Sequence, residues 1–343
     1  MKTLVWQGPR RMEVEEAPEP APEAGTVVLR TGAAGICGSE VEGYLGRMGN
    51  RTPPLVMGHE FSGTVAEVGE GVDPSWEGRR VTVNPLLSCG ECPICRAGLE
   101  NVCPKRTMIG IQHPGAFAEY VRIPATALLP VPDDLPMTAA ALAEPFANGV
   151  HAVRLAEVRG PLEHAVVLGA GTIGTMVLQA AVLQGIPEIS VVEPHAGRRE
   201  QVFGLGANAA FASGEEAKEA LREVTDGLGA DAVFDAVGAS ETRRLTAELL
   251  RPGGMAVLVG LRDDETPIGF HDVVRRQVTL RGSYAYTRRD FEQALAWISE
   301  GRAGLGELPS PLPLSEGPDA FRRLADGPSS QVKVFLAEGG ERA

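Results

Sequence analysis

The sequence predicts an α/β protein, a β-rich unit followed by a doubly wound parallel sheet. Three observations carry this expectation. Residues 1–130 hold six short runs of strand character separated by Gly and Pro. Residues 165–168 are an apolar run without alternation, as in a strand buried on both faces, and they open into Gly169-Ala170-Gly171-Thr172-Ile173-Gly174. Beyond that turn, strand-like and helix-like segments alternate in a β-α-β rhythm.

In chain order, strands are predicted over 2–7, 12–16, 26–31, 61–68, 80–83 and 117–123, with residues 18–22 as a Pro-rich turn. Residues 137–156 are Ala-rich and helical in character, but Pro145 lies inside them. Proline removes a ladder hydrogen bond, so the helix is expected to be interrupted, or to begin, near it. After the glycine turn comes an apolar helix through Gln184, then a strand over 189–193 that ends in Glu193. Strands over 209–211, 232–235, 255–259 and 278–282 follow, with helices near 214–226 and 241–250. Phe291, Ala294, Leu295 and Ile298 share one helix face, residues 321–324 open a further helix, and 332–336 read as a closing strand.

Composition narrows the function. The chain is 343 residues long with 32 basic against 45 acidic side chains, a net charge of −13 and no basic block. Nucleic acid and anionic membranes are therefore not expected as partners. The N-terminal residues lack the apolar core of a signal peptide, and no apolar run reaches about 18 residues, so a soluble cytoplasmic protein is expected.

Four of the five cysteines, Cys89, Cys92, Cys95 and Cys103, fall within fifteen residues. Two-residue gaps turn successive thiolates back onto one ion, and the longer gap supplies a fourth ligand. Four sulfurs close a tetrahedron, so the expectation is a structural zinc lobe, with a two-disulfide knot or free thiols as the other readings. The fifth, Cys37, sits in Gly35-Ile36-Cys37-Gly38-Ser39-Glu40. A His beside a carboxylate follows in Gly58-His59-Glu60, and a further carboxylate lies in Ala143-Glu144-Pro145. Thiolate, imidazole and carboxylate from three segments can hold zinc with one position open, as catalysis requires. Alone, His59 would read as a hydrogen-bonded histidine and Glu144 as a helix cap; the set argues otherwise.

The glycine turn is informative through its context. A strand precedes it, a helix follows, and Glu193 lies nineteen residues past Gly174. This is the pattern of a dinucleotide cradle: Gly169 for the turn, Gly171 for approach to the pyrophosphate, Gly174 for helix packing, and Thr172 and Ile173 at the helix start. A carboxylate at Glu193 would bind the adenosine ribose and repel a 2′-phosphate, favouring NAD over NADP. Arg198 and Arg199 work against that preference, although Arg198 can instead stack on adenine.

The stretches around Cys37 and His59, with Ala143-Glu144-Pro145-Phe146-Ala147-Asn148-Gly149-Val150-His151-Ala152, resemble the zinc-dependent medium-chain dehydrogenases. The polyol branch is nearest, with its sorbitol, galactitol-phosphate, butanediol and threonine dehydrogenases. The resemblance spans the chain. It implies a GroES-like catalytic domain at 1–148 and 288–343 and a Rossmann domain at 149–287. It implies two zinc ions per chain, NAD, and hydride transfer from a secondary alcohol of a polyol, sugar alcohol, its phosphate, or a vicinal diol.

By the same resemblance Cys37 and His59 ligate the catalytic zinc, Glu144 is the third ligand directly or through water, and Glu60 enters during ligand exchange. Ser39 hydrogen-bonds the alcohol. Glu40 orients the zinc-bound His from a position where the family usually has Asp. Many members end a proton relay on a His five positions after the zinc Cys; Glu42 stands there, either as a replacement acceptor or as a solvated carboxylate. A homotetramer is implied, with a dimer as runner-up. The other readings are a hydroxy amino acid dehydrogenase, a catalytically silent nucleotide-binding protein, and zinc-independent enone reduction.

Overall fold

The computed structural model describes residues 1–157, 161–306, 308–327 and 333–338. The chain divides into two compact units, Met1–Glu144 with Ala294–Ala343, and Pro145–Gln293.

The first unit is antiparallel. Its strands in chain order are β1 Lys2–Gly8, β2 Arg11–Glu16, β3 Thr26–Gly35, β4 Leu55–Val56, β5 Glu60–Val68, β6 Arg80–Val83, β7 Leu86–Leu87, β8 Thr107–Met108, β9 Tyr120–Pro124 and β10 Leu128–Pro130. The larger sheet runs β10-β6-β5-β3 and ends on a strand from the far end of the chain, Phe335–Leu336, while β9 pairs with the first half of β3. The smaller sheet is β2-β1-β4, and β7 and β8 form a separate pair. Between them lies a core that includes Leu4, Leu29, Phe61, Phe117 and Phe321, all fully buried.

β3 is four residues longer than the predicted strand. Gly32, Ala33, Ala34 and Gly35 carry little strand propensity, but β5 pairs along one edge and the closing strand covers the end of the other. Gly32 is needed there, because a Cβ would come within 2.8 Å of the Met137 side chain. The predicted strand over 117–123 begins only at Tyr120.

The second unit is a six-stranded parallel sheet. Its strands are β11 His164–Leu168, β12 Glu188–Val192, β13 Ala209–Phe211, β14 Ala230–Asp235, β15 Leu250–Leu258 and β16 Thr279–Gly282, in the order β13-β12-β11-β14-β15-β16. Each connection carries a helix, and the order reverses between β11 and β14, which is the doubly wound arrangement. Val166, Val233 and Ala256 are fully buried on the sheet, as the absence of alternation predicts. Phe335–Leu336, the closing strand, is β17; Val332 of the predicted range lies outside the described residues.

The Ala-rich segment is indeed interrupted. One helix spans Met137–Ala141, and a second runs Ala143–Ala156. Pro145 falls in the first turn of the second, where its missing N–H has no partner to lose. No helix among the described residues is long and apolar enough to cross a membrane.

Candidate catalytic metal centre and cofactor turn

Strand register assembles the first site. Gly35 at the end of β3 pairs with Glu60 at the start of β5, so Cys37, two residues past β3, and His59, one residue ahead of β5, are brought together. Cys37 then caps the helix Gly38–Tyr44, an element the sequence reading did not identify. The thiolate, imidazole and carboxylate donor atoms of Cys37, His59 and Glu60 all lie within 4.8 Å of one another. Glu144 is buried in the first turn of Ala143–Ala156 and is outside that trio.

Glu40 organises the loop around the trio. Its fully buried carboxylate accepts from the backbone N–H of Cys37 (3.0 Å), Gly58 (2.8 Å) and His59 (3.2 Å), and it meets His59 Nδ1 at 2.8 Å. The second ring nitrogen of His59 is thereby left for a ligand. Burial by itself would push the Glu40 carboxyl up, but His59 and the Cys37 amide hold it below the ordinary range. For His59, burial works against the imidazolium, yet Glu40 and Cys37 raise its pKa well above the usual value. Negative charge that favours a proton here favours a divalent cation equally, and ligation proceeds by displacing that proton.

Glu60 supplies the observation that fits a metal best. Its Oε1 is buried with no hydrogen-bond partner, while its Oε2 is held by the Lys333 ammonium, itself fully enclosed. Lys333 also donates to Ile36 O at 3.1 Å. A buried carboxylate oxygen without a donor is costly unless a cation completes it. Sulfur, nitrogen and oxygen donors at this spacing suit zinc. The sequence reading missed Lys333; a single cation inside the apolar run Val332–Leu336 was the available signal.

Ser39 Oγ lies 3.4 Å from Cys37 Sγ. Glu42, one helical turn further on, is 40% exposed and pairs with Arg47 at 3.3 Å, the geometry of the solvated reading.

The four-cysteine lobe lies between β7 and β8. Cys92 caps the short helix Pro93–Arg96. The sulfurs are 3.5 Å apart for Cys92–Cys95 and Cys89–Cys103, and 3.9 Å for Cys89–Cys95 and Cys92–Cys103. A disulfide needs about 2.05 Å, and all of them are free thiols. The edges of a zinc–sulfur tetrahedron are about 3.8 Å given Zn–S bonds of about 2.3 Å. Hydrogen bonds from the Glu91 and Cys92 amides lower the Cys89 thiol to about 6, whereas burial and neighbouring sulfurs push Cys95 up to about 12.

In the second unit, Gly169 takes φ of +91°. A Cβ at Gly174 would lie 1.9 Å from Gly169 O, so nothing larger fits; at Gly171 a Cβ would meet nothing within 4 Å. The helix Thr172–Leu183 starts at Gly171 with no side-chain cap, leaving its first N–H groups for an anion. Glu193 is buried, its oxygens accepting from Ala170 N and His195 N, both at 2.8 Å. It is tied to the cradle by a hydrogen bond as well as by spacing. Arg199 is anchored on the carbonyls of Glu193 (2.8 Å) and Pro194 (2.7 Å), while Arg198 lies in the first turn of the helix Ala196–Gly204 beside it.

The chain is similar to known proteins. Residues 23–133 match the alcohol dehydrogenase GroES-like domain and residues 172–300 the zinc-binding dehydrogenase domain. A 2-dehydro-3-deoxy-L-galactonate 5-dehydrogenase of Pseudoalteromonas atlantica is 33% identical over 98% of both chains. A sorbitol dehydrogenase of Halalkalibacterium halodurans is 32% identical over 98% of this chain and 99% of its own. An Escherichia coli alcohol dehydrogenase complexed with NADH superposes with a TM-score of 0.90 at 26% identity, covering 98% of this chain and 99% of that one. A zinc-binding dehydrogenase of Sinorhizobium meliloti bound to NADP gives 0.88 at 28% identity and 98% coverage of both.

Fold and site together define a zinc-binding alcohol dehydrogenase. More narrowly, the chain belongs to the polyol dehydrogenase branch of the zinc-dependent medium-chain dehydrogenases, enzymes that oxidise secondary alcohols with a nicotinamide cofactor.

Proposed function

We propose that this enzyme oxidises a secondary hydroxyl of a polyol-type substrate with NAD in preference to NADP, using one catalytic and one structural zinc per chain. The observation that carries the reading is the Cys37–His59–Glu60 trio, its His59 and Glu60 buried and its Glu60 oxygen unpartnered. Relatives named for sorbitol and for a galactonate derivative support the substrate class, and the buried Glu193 supports NAD. A homotetramer, or else a dimer, in the cytoplasm is part of the proposal and rests on likeness to the branch.

When bound, zinc polarises the alcohol and lowers its pKa, and the nicotinamide accepts the hydride. The chain's own residues do the rest. Glu40 fixes the His59 ring. Ser39, beside the thiolate, holds the alcohol oxygen and takes up its proton. From there the proton passes to Glu42, on the same helix face, or to water. Lys333 balances Glu60, whose free oxygen would be available to the metal. Glu144 serves as a third ligand, directly or through water. Glu193 and the glycine turn seat the adenosine half of the cofactor, with Arg198 against the adenine.

The test is metal content together with turnover. Two zinc ions per chain are expected, falling to one in Cys92→Ser. His59→Ala should abolish NAD reduction by secondary polyols while leaving the far-UV spectrum unchanged. Turnover confined to primary alcohols, or equal kcat/KM with NAD and NADP, would refute the corresponding part.

A further inference from the structure

Beside the trio lies a cation that the chemistry above does not use. Arg51 is only 5% exposed. Its Nη2 donates to Ser39 Oγ at 3.2 Å and its Nη1 to Asn50 Oδ1 at 3.1 Å. Its Nε is buried with no hydrogen-bond partner. No carboxylate among the described residues forms an ion pair with it; Glu40 feels its charge only at a distance. A guanidinium carries five donors in a fixed plane, and enclosing it without an anionic acceptor is unfavourable. Room for it is built in. Gly43, one turn beyond Ser39, lets the side chain pass, because a Cβ there would come within 2.9 Å of Arg51 Cδ.

Position gives this cation its meaning. Ser39 Oγ touches both the Cys37 sulfur and the guanidinium, so the same hydroxyl that faces the reacting alcohol also faces Arg51. A group attached to the carbon being oxidised, or to the next one, would lie beside the guanidinium, whose Nη1 and Nη2 each make one of the two hydrogen bonds they can donate. Lys333, the other buried cation of the site, is occupied by Glu60. A single planar guanidinium pairs bidentately with a carboxylate, and its one charge balances the carboxylate's one.

We infer that Arg51 binds a carboxylate of the substrate lying within one or two carbons of the hydroxyl that is oxidised, so that the preferred substrate is a sugar acid and not a neutral polyol. This rests on the proposal that Cys37 and Ser39 form the reacting centre. The reaction stays balanced: the secondary C–H leaves as hydride to NAD, the hydroxyl proton is released, a carbonyl forms, and the carboxylate is unchanged.

The test compares five- and six-carbon alditols, the matching aldonates and the matching alditol phosphates as substrates of the zinc-loaded enzyme with NAD. Aldonates should be preferred by about tenfold or more in kcat/KM, the scale of one charge-assisted contact. Arg51→Gln should raise the aldonate KM by a similar factor with kcat little changed, and should leave alditol KM values where they were. Arg51→Lys should recover part of the loss. Gly43→Ala, which displaces the side chain without removing it, should reproduce the effect. Calorimetric titration of the best aldonate onto the NAD complex should show the same weakening without turnover. An equal loss for acids and neutral polyols in Arg51→Gln would mean that Arg51 only supports Ser39, and would overturn the inference. So would a preference for alditols or for the phosphates. Turnover of alditols with no effect of Arg51 removes this inference alone; no turnover of any class removes the functional proposal with it.

Discussion

At the scale of single residues, the site divides into groups that hold charge and groups that move a proton. Lys333 holds charge. Removing one partner of a buried ion pair costs about 3–5 kcal/mol, because the other charge is stranded. Lys333→Met should therefore destabilise the metal-free protein by that order, and zinc should restore more of the melting temperature than it adds to the parent. Equal gains with zinc in both proteins would show that Glu60 does not face the metal. Ser39 and Glu42 are expected to move the proton. Ser39→Ala should slow turnover by about 10²-fold or more, as loss of a general acid–base link does, with zinc retained. Glu42→Gln should alter the pH profile of kcat; an unchanged profile assigns the exit to water, in keeping with the Arg47 ion pair. Cys37 and His59 could be named from the sequence as candidate ligands because their residue types announce metal chemistry; the third place went to Glu144, with Glu60 as an exchange partner, whereas the structure groups Glu60 with them. Lys333 and Arg51 could not be named in this way, since each acquires its role from a contact: Lys333 with a residue 273 positions away, Arg51 with Ser39 across a loop.

At the scale of elements, sequence pattern located strands better than their ends. The parallel strands were legible because each is a short apolar run between helices. The second half of β3 was not, because small residues take strand geometry there only when neighbours on both edges impose it. The helix Gly38–Tyr44 was hidden by its length, seven residues with two glycines, and is held by its Cys37–Glu40 cap. The glycine turn yields a paired prediction. Gly171→Ala meets no atom within 4 Å, so the fold should survive with a stability change within about 0.5 kcal/mol. The added methyl should instead obstruct the pyrophosphate and raise the KM for NAD about tenfold or more. Gly174→Ala must move Gly169 and should lower the melting temperature as well. If Gly171→Ala leaves cofactor affinity unchanged, the turn is not the phosphate cradle.

At the scale of the whole molecule, acid should expose a network inside the second unit. Asp290 is buried and accepts from Thr287 N (2.9 Å), Thr287 Oγ1 (2.7 Å) and Arg154 Nη2 (2.8 Å), and it meets His151 Nδ1 at 2.8 Å. Burial alone would push its carboxyl up; His151 and Thr287 hold it below the ordinary value of 3.8. A depressed carboxylate stabilises the fold above its unfolded pKa and stops doing so as pH falls through its folded one. Asp290→Asn should thus cost about 2 kcal/mol near neutrality, on the scale of hydrogen bonds to a charged group. Below about pH 4 the gap from the parent should close. A gap that is constant from pH 7 to pH 3 would refute this role.

The first unit is made from both ends of the polypeptide, and the lysine that balances Glu60 lies two residues before β17. During synthesis, at about 5–20 residues per second, Glu60 leaves the ribosome long before its cation does. The parallel-sheet unit, contiguous in sequence, can fold on the nascent chain in that interval, while the metal-bearing unit waits for a strand not yet translated. On the proposed ligand set, maturation of the centre is in this sense post-translational: the segment that carries Lys333 sets when zinc can be retained, and a message truncated ahead of Lys333 should yield a folded parallel-sheet unit with an unfinished metal site.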